Sequence, residues 1–372
     1  MMKNDPSKIT YTRRNFLTGL GLAAGGTALG GSASAAKPAA DSAPNYRTLG
    51  RTGLKISTIS MGTVNVPNVN FLKHAFRLGI NFVHTAPNYS NGNSIVTVGE
   101  AIKGQRDKLV LGLKCTGDVT NDKTIDTALK TMGTDHVDIA FFPIQKASLA
   151  LESKYQEAAE RWKKAGKCKY IGLTSHRETI QVLKNGMKQG FYDMIMPAYN
   201  VSMEEDFKDV FAEAKKQNLG IILMKTKRGL DNDDYSKAIG RYMETDPVTT
   251  VVKGMTTFKE IDELIAASKI KLTAADRKML KEKSFIAMLG HCAMCGNCTS
   301  ICPEQIQVSD IVRCSDYYLS NSNMYDVAKE TYAELEGRRD AGACGDCGIC
   351  EQQCPHQVPI IHHLKRAEQL LA

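Results

Sequence analysis

Residues 109–142 read LVLGLKCTGDVTNDKTIDTALKTMGTDHVDIAFF, and this stretch decides the fold. Leu109–Lys114 is a short apolar run of strand length. Ile125–Met132 carries apolar residues at three-to-four spacing, the period of a half-buried helix. Val137–Phe142 is a second strand-like run. Two strands joined through a helix form the crossover unit of a parallel sheet. Working outward, the unit recurs. Further strands are expected at Ser57–Met61, Asn81–His84, Tyr170–Thr174, Met194–Pro197, Gly220–Met224 and Val248–Lys253. Amphipathic helices are expected at Phe71–Leu78, Tyr155–Lys164, Thr179–Met187, Phe207–Lys216 and Phe258–Ala267. Eight strands alternating with helices in one stretch of chain predict an α/β fold, a (β/α)8 TIM barrel over residues 45–283. A doubly wound sheet would alternate in the same way. It would normally carry a glycine-rich phosphate loop after an early strand, and Met61-Gly62-Thr63 is not that fingerprint.

The remainder has a different chemistry. Eight of eleven cysteines form two copies of one run: Cys292, Cys295, Cys298 and Cys302-Pro303, then Cys344, Cys347, Cys350 and Cys354-Pro355. Three thiolates two residues apart, with a fourth set off by a proline, is the spacing of bacterial ferredoxins. By that rule Cys354 completes the cluster of Cys292, Cys295 and Cys298, while Cys302 completes that of Cys344, Cys347 and Cys350. Zinc ribbons would show paired Cys-x2-Cys units with no third cysteine in phase, and disulfides would not require one spacing twice. Two [4Fe–4S] clusters are therefore expected in a small, mainly helical ferredoxin-like domain over residues 284–372. Helices are expected there at Lys271–Leu289 (leading in), Val308–Tyr318, Tyr325–Glu336 and Ile360–Leu371. The barrel and this domain are expected to have separate cores. Cys115, Cys168 and Cys314 read as buried apolar fillers.

Residues 1–36 read as a targeting segment. Lys3, Lys8, Arg13 and Arg14 make a basic start, and Thr12-Arg13-Arg14-Asn15-Phe16-Leu17 is similar to the twin-arginine export signal. An Ala/Gly-rich apolar stretch follows, and Ala33-Ser34-Ala35 offers a small-residue cleavage site. Residues 37–44 read as a linker. A periplasmic protein exported already folded is expected, with no transmembrane segment in the mature chain. The formal net charge is +8, and the leader accounts for three of those charges. About two negative charges per cluster with its thiolates would offset most of the remainder. The basic balance therefore gives no reason to expect a nucleic-acid partner, and no aromatic-interleaved basic stripe supplies one.

Several motifs, in collinear order, resemble the aldo-keto reductases. They are Leu49-Gly50-Arg51-Thr52-Gly53-Leu54, Gly62-Thr63, Thr85-Ala86-Pro87-Asn88-Tyr89, Ile171-Gly172-Leu173-Thr174-Ser175-His176, Tyr199-Asn200 and Lys253-Gly254-Met255. The chain is most similar to a branch with a C-terminal ferredoxin domain. The resemblance implies a nicotinamide dinucleotide bound in extended form at the C-terminal face of the barrel. It also implies a catalytic Asp, Tyr, Lys and His, in which Tyr protonates the carbonyl, Lys supports the phenolate, Asp holds Lys, and His orients the substrate. Tyr89 and Lys114 match two of the four. His84 stands where the family has Asp, Pro143 where it has His, and Met196 where it has a nicotinamide-binding Gln. His84 or His176 could instead supply a proton. Gly62, Thr63, Thr174 and Ser175 fall at cofactor-binding positions. Lys253 and Lys259 fall where members hold the 2′-phosphate, which makes NADP(H) the candidate nucleotide. The expectation is an exported iron–sulfur oxidoreductase that relays electrons through two clusters to or from the barrel top. The alternative is an electron-transfer subunit whose barrel is a docking scaffold. A redox partner protein is expected, together with a small-molecule substrate that no motif specifies.

Overall fold

A computed structural model describes residues 43–372 apart from 229, 321–324, 334 and 336–340. The export reading and most of the linker therefore lie outside the described residues. The chain opens with an antiparallel hairpin, β1 (Tyr46–Thr48) and β2 (Lys55–Ser57). Eight parallel strands then close into a barrel in sequence order: β3 (Ile59–Gly62), β4 (Phe82–Thr85), β5 (Val110–Lys114), β6 (Val137–Pro143), β7 (Cys168–Ser175), β8 (Met194–Pro197), β9 (Gly220–Leu223) and β10 (Val248–Gly254). Closure is the β10–β3 pairing, Val251 opposite Ile59. The expected strand at Ser57–Met61 is two elements, because the chain turns from the hairpin into the barrel at Thr58. The hairpin covers the N-terminal end of the barrel: Arg51 N–H donates to Asn218 O at 2.7 Å and Tyr170 Oη to Thr52 O at 2.8 Å. Gly50, at φ +47°, lies so close to β9 that a Cβ would fall 2.3 Å from Gly220 N. Only glycine tolerates both conditions.

The helical layer comprises α1 (Val69–Arg77), α2 (Asn93–Ile102), α3 (Lys123–Met132), α4 (Ser153–Lys164), α5 (Thr179–Gln189), α6 (Glu204–Lys216), α7 (Asn232–Glu244) and α8 (Phe258–Ala267). The sequence reading omits α2 and α7. Ile95, Val96, Thr97 and Val98 favour a strand by local preference, and packing between α1 and α3 overrides it.

Strand periodicity sorts the side chains into two layers. Val83, Leu111, Leu113, Ala140, Phe142, Ile171 and Leu173 pack outward under the helices. Phe82, Val110, Ile139, Phe141, Met194, Met196, Ile222 and Val252 fill the interior. Large and small residues alternate there: a Cβ on Gly172 would fall 2.3 Å from the Phe141 ring. The same alternation turns His84 and Lys114 inward at the C-terminal ends of β4 and β5.

The C-terminal region is helical: α9 (Ala274–Met288), α10 (Asn297–Ser300), α11 (Val308–Ser320), α12 (Tyr325–Ala333), α13 (Ile349–Gln352) and α14 (Ile360–Leu371). The two cysteine runs fold alike. Met294 and Asp346, Gly296 and Gly348, and Gln305 and Gln357 all take left-handed φ at corresponding positions. Each run leads through a four-residue helix and a Cys-Pro turn into a long helix, and those long helices, α11 and α14, pack together. The cores are not separate. The barrel interior forms one contiguous apolar cluster with Cys292, Met294, Ile306, Val308, Ile311 and Val312. Met196, Ala198 and Met224 are apolar where the barrel mouth opens, so the upper domain packs on them instead of leaving a wet interface. No helix among the described residues is long and apolar enough to cross a membrane.

Candidate functional site

The inward-facing ends of β4 and β5 and the loop after β4 bring three of the expected residues together. His84 is buried, Lys114 and Tyr89 partly so. The Lys114 ammonium lies over the face of the Tyr89 ring, 4.6 Å from its centroid, a cation–π contact. The His84 ring stands edge-on to Tyr89, with centroids 6.3 Å apart, and to Phe141, at 5.2 Å. His84 Nε2 is buried with no hydrogen-bond partner among the described residues. Burial, reinforced by the Lys114 charge, pushes the His84 imidazole down to about 3. His176, after β7, is likewise held well below the ordinary imidazole range, by burial first and then by the charges of Arg313, Lys225, Lys114 and His84. Both rings are neutral at physiological pH. They can donate or accept a hydrogen bond, but neither carries an imidazolium proton.

The expected nucleotide residues are placed differently. Gly62 is buried against β10. Thr63 Oγ1 donates to His84 O at 3.0 Å, Thr174 Oγ1 to Met196 O at 3.0 Å and Ser175 Oγ to Arg177 O at 2.7 Å, and all three residues are fully buried. Lys253 pairs with Glu260 at 3.3 Å and also donates to Gly254 O, while the exposed Lys259 pairs with Glu263 at 3.0 Å. Pro143 and Met196 line the barrel end without a polar side-chain group.

Two cavities hold the cysteines. One is ringed by Cys292, Cys295, Cys298 and Cys354. The other is ringed by Cys302, Cys344, Cys347 and Cys350, and Cys350 also lines the first. Each cavity gathers three cysteines of one run and the fourth of the other. Val312, Val358 and Ile360 wall the first cavity, and Ile306, Val308 and Leu364 the second. Among the described residues no three Cys, His, Asp or Glu side chains converge as ligands of one ion would; the thiols instead surround a space. Soft sulfur donors around apolar-walled cavities fit iron–sulfur clusters. Burial pushes the free thiols up, Cys292 to about 12 and Cys350 to about 11. A cluster iron would hold them as thiolates.

Residues with no sequence signal join the cavities to the barrel. Arg177, after β7, donates to Gln145 O at 3.2 Å and to Gln307 Oε1 at 2.6 Å, and pairs with Asp310 of α11, with both members of the pair buried. Arg228, after β9, donates to the Cys292 carbonyl and pairs with Asp316 at 3.0 Å. The Gly296 turn rests on Arg177 and Glu178. The first cysteine run therefore sits directly on the C-terminal loops of the barrel.

Comparison with known proteins agrees with this division. Residues 58–229 match the Aldo/keto reductase family, and residues 285–355 match the 4Fe-4S dicluster domain. The chain thus carries an aldo-keto reductase domain followed by a 4Fe-4S dicluster domain. It is 27% identical over 201 residues to L-galactose dehydrogenase of Arabidopsis thaliana, covering 47% of this chain and 63% of that protein. It is 24% identical over 210 residues to the aldo-keto reductase YhdN of Bacillus subtilis, covering 48% of this chain and 60% of that protein. The chain thus spans less than two thirds of the length of either relative. Among solved structures, the aldo-keto reductase AKR11C1 of Bacillus halodurans superposes with a TM-score of 0.56 at 20% identity, over 64% of this chain and 96% of that one. At that identity the likeness is one of fold.

The His84 environment yields a direct test. In an NMR titration of the histidine ring signals, His84 should show no protonation between about pH 5 and 8, where an ordinary imidazole titrates. Lys114→Met removes a like charge and should move its midpoint upward, still short of the ordinary value because burial remains. A wild-type midpoint near 6.5 would contradict the site as described.

Proposed function

We propose that the protein is an iron–sulfur oxidoreductase. In this reading its C-terminal domain holds two [4Fe–4S] clusters that exchange electrons with a reaction site at the barrel top. The observation that carries this reading is the seating of the first cysteine run on the barrel loops, through Arg177, Arg228 and the Gly296 turn. Cys292, Cys295, Cys298 and Cys354 would hold one cluster, and Cys302, Cys344, Cys347 and Cys350 the other. Bound there, the clusters supply one-electron chemistry. Tyr89 donates a proton to the substrate, and Lys114, over its ring, stabilises the negative charge left behind. His84, neutral, offers Nε2 as a hydrogen-bonding group at the same place. NADP(H) remains the candidate nucleotide. Lys253 and Lys259 would reach a 2′-phosphate only by exchanging Glu260 and Glu263 for it, and no step here depends on it. The leader supports a periplasmic location by way of the twin-arginine route, and a redox partner protein would complete the relay.

Anaerobically purified protein should contain about eight iron and eight labile sulfide per chain. Four iron, or zinc in its place, would overturn the two-cluster assignment.

Tyr89→Phe keeps the ring and its contact with Lys114 but removes the proton. Turnover should fall by about a hundredfold or more, the size of a lost general acid, with iron content unchanged. Equal rates of electron delivery to the partner by wild-type and variant protein would instead make the barrel a docking scaffold, the reading to which the apolar Pro143 and Met196 strand ends lend weight.

Replacing both Arg13 and Arg14 with Lys should leave the precursor in the cytoplasm with its clusters in place. Fractionation that finds the wild-type chain there as well would overturn the location.

A further inference from the structure

The resemblance implies a dinucleotide lying across the C-terminal face, from Thr174, Ser175 and Met196 on β7 and β8 to Lys253 at the end of β10 and Lys259 on α8. The residues present do not fit that ligand, and the misfit is greatest where the cluster domain sits. At the first end, Thr174 Oγ1 donates to Met196 O at 3.0 Å and Ser175 Oγ to Arg177 O at 2.7 Å. A hydroxyl has one proton to give. Both residues are also 0% exposed, so neither presents any surface to a ligand. At the other end, Glu260 already acts as an anion: it pairs with Lys253 at 3.3 Å and accepts from Thr256 N–H at 3.0 Å. The Lys259–Glu263 pair lies at the surface, where such pairs yield readily. The middle of the path is the larger obstacle. β9 stands between β8 and β10 in the closed barrel, so the direct path crosses its end. Met224 there is buried in one apolar cluster with Cys292, Met294 and Ile311. Arg228, on the loop that follows, donates to the Cys292 carbonyl and pairs with Asp316 at 3.0 Å. The loops after β7 and β8 are held in the same way. Arg177 donates to Gln307 Oε1 at 2.6 Å, and Asn200 Nδ2 lies 3.6 Å from Met288 Sδ.

We propose that the first cysteine run and the start of α11 occupy the nucleotide path, so that this chain does not take NADP(H) and the cluster domain stands where the family's cofactor would. This goes beyond the reading above, in which the nucleotide is a candidate on which no step depends. Admitting a dinucleotide would require the domain to lift. Two Arg–Asp pairs would part, and apolar surface shared with the barrel interior would meet water. A ligand's apparent affinity falls with the fraction of molecules in the open state. The closed state therefore discriminates against nucleotide however well the barrel beneath would fit it. Under the oxidoreductase reading, electrons then reach the barrel top through the clusters alone.

The test is isothermal titration calorimetry on the full, anaerobically purified chain with its clusters, using NADPH and NADP+ as probes. No saturable binding is expected up to about 1 mM of either. Hydrogen exchange is measured alongside. The amides of residues 198–200, 224–228 and 292–296 should exchange at the same rates with and without NADPH. The double variant Glu260→Gln, Glu263→Gln frees both lysines and should still not bind, because the middle of the path stays filled. Iron content and the visible spectrum, measured on each preparation, show whether the clusters and the fold are intact. Saturable binding of either nucleotide by the wild-type chain below about 1 mM, or protection of those amides by NADPH, would overturn the proposal. So would binding gained by the double variant, which would make the two carboxylates the block in place of the domain. No arm depends on turnover. NADPH that binds would sink this inference and leave the oxidoreductase reading untouched, whereas a Tyr89→Phe protein of unchanged rate would sink that reading and leave this one standing.

Discussion

The structure depends on how the cysteine-bearing domain is fixed to the open end of the barrel. Two Arg–Asp pairs, Arg177–Asp310 and Arg228–Asp316, cross the junction at sites largely removed from water. Pairs of this kind contribute little net stability, because desolvating both charges offsets most of their attraction. They contribute register: a domain displaced by one helical turn would leave a buried arginine facing nothing, at a cost of roughly 3–5 kcal/mol. The attraction itself comes from the apolar cluster shared by the barrel interior and the upper domain. Hydrophobic burial holds the two together, and the ion pairs select one orientation. In that orientation the Cys292 carbonyl meets Arg228 and the Gly296 turn meets Arg177.

The electrostatics at the open end of the barrel are set by the ends of β4 and β5. An aldo-keto reductase site of the usual kind pairs its lysine with a carboxylate and is close to neutral before a ligand enters. Here His84 occupies that position, and burial beside Lys114 keeps it uncharged. The Lys114 ammonium is left against an aromatic face and a neutral ring, with no ion-paired carboxylate among the described residues. In the proposed reaction that charge would favour a step that develops negative charge on the substrate.

The barrel and the duplicated cysteine run were legible in the sequence because both follow from repetition. Strand and helix periods recur eight times, and the run ending in Cys302-Pro303 recurs at Cys354-Pro355 with the same fold. Tyr89 and Lys114 were legible because each falls at a strand end or at a fixed distance past one. What could not be read was whatever depends on residues far apart in sequence. Arg177 and Asp310 are ordinary charged residues in their own segments, and only the docking makes them a buried pair. The barrel interior and the upper domain, expected to have separate cores, share one for the same reason: Met196, Ala198 and Met224 give no local sign that another domain will join their cluster. The lysines at 253 and 259 illustrate the converse. Their positions resemble a phosphate site, yet Glu260 and Glu263, one helical turn or less away from each other, provide nearer partners.

The two cysteine runs, alike in backbone, differ in surroundings, and that difference gives the proposed relay a direction. The first is pinned to the barrel, with Cys292 buried beneath Arg228. In the second, Cys344 is only partly buried, Cys347 is exposed, and the adjacent Asp346–Lys365 pair lies at the surface. A positive charge near a cluster favours its reduced form, because reduction adds an electron to an already anionic centre. In the proposed relay Arg228 would bias electrons towards a cluster in the barrel-side cavity, while solvent would screen the field around the outer one. Cys350, lining both cavities, places the two sets side by side. In the proposed relay a duplicated motif, made unequal by what it packs against, would distinguish an entry point at the surface from a delivery point at the barrel.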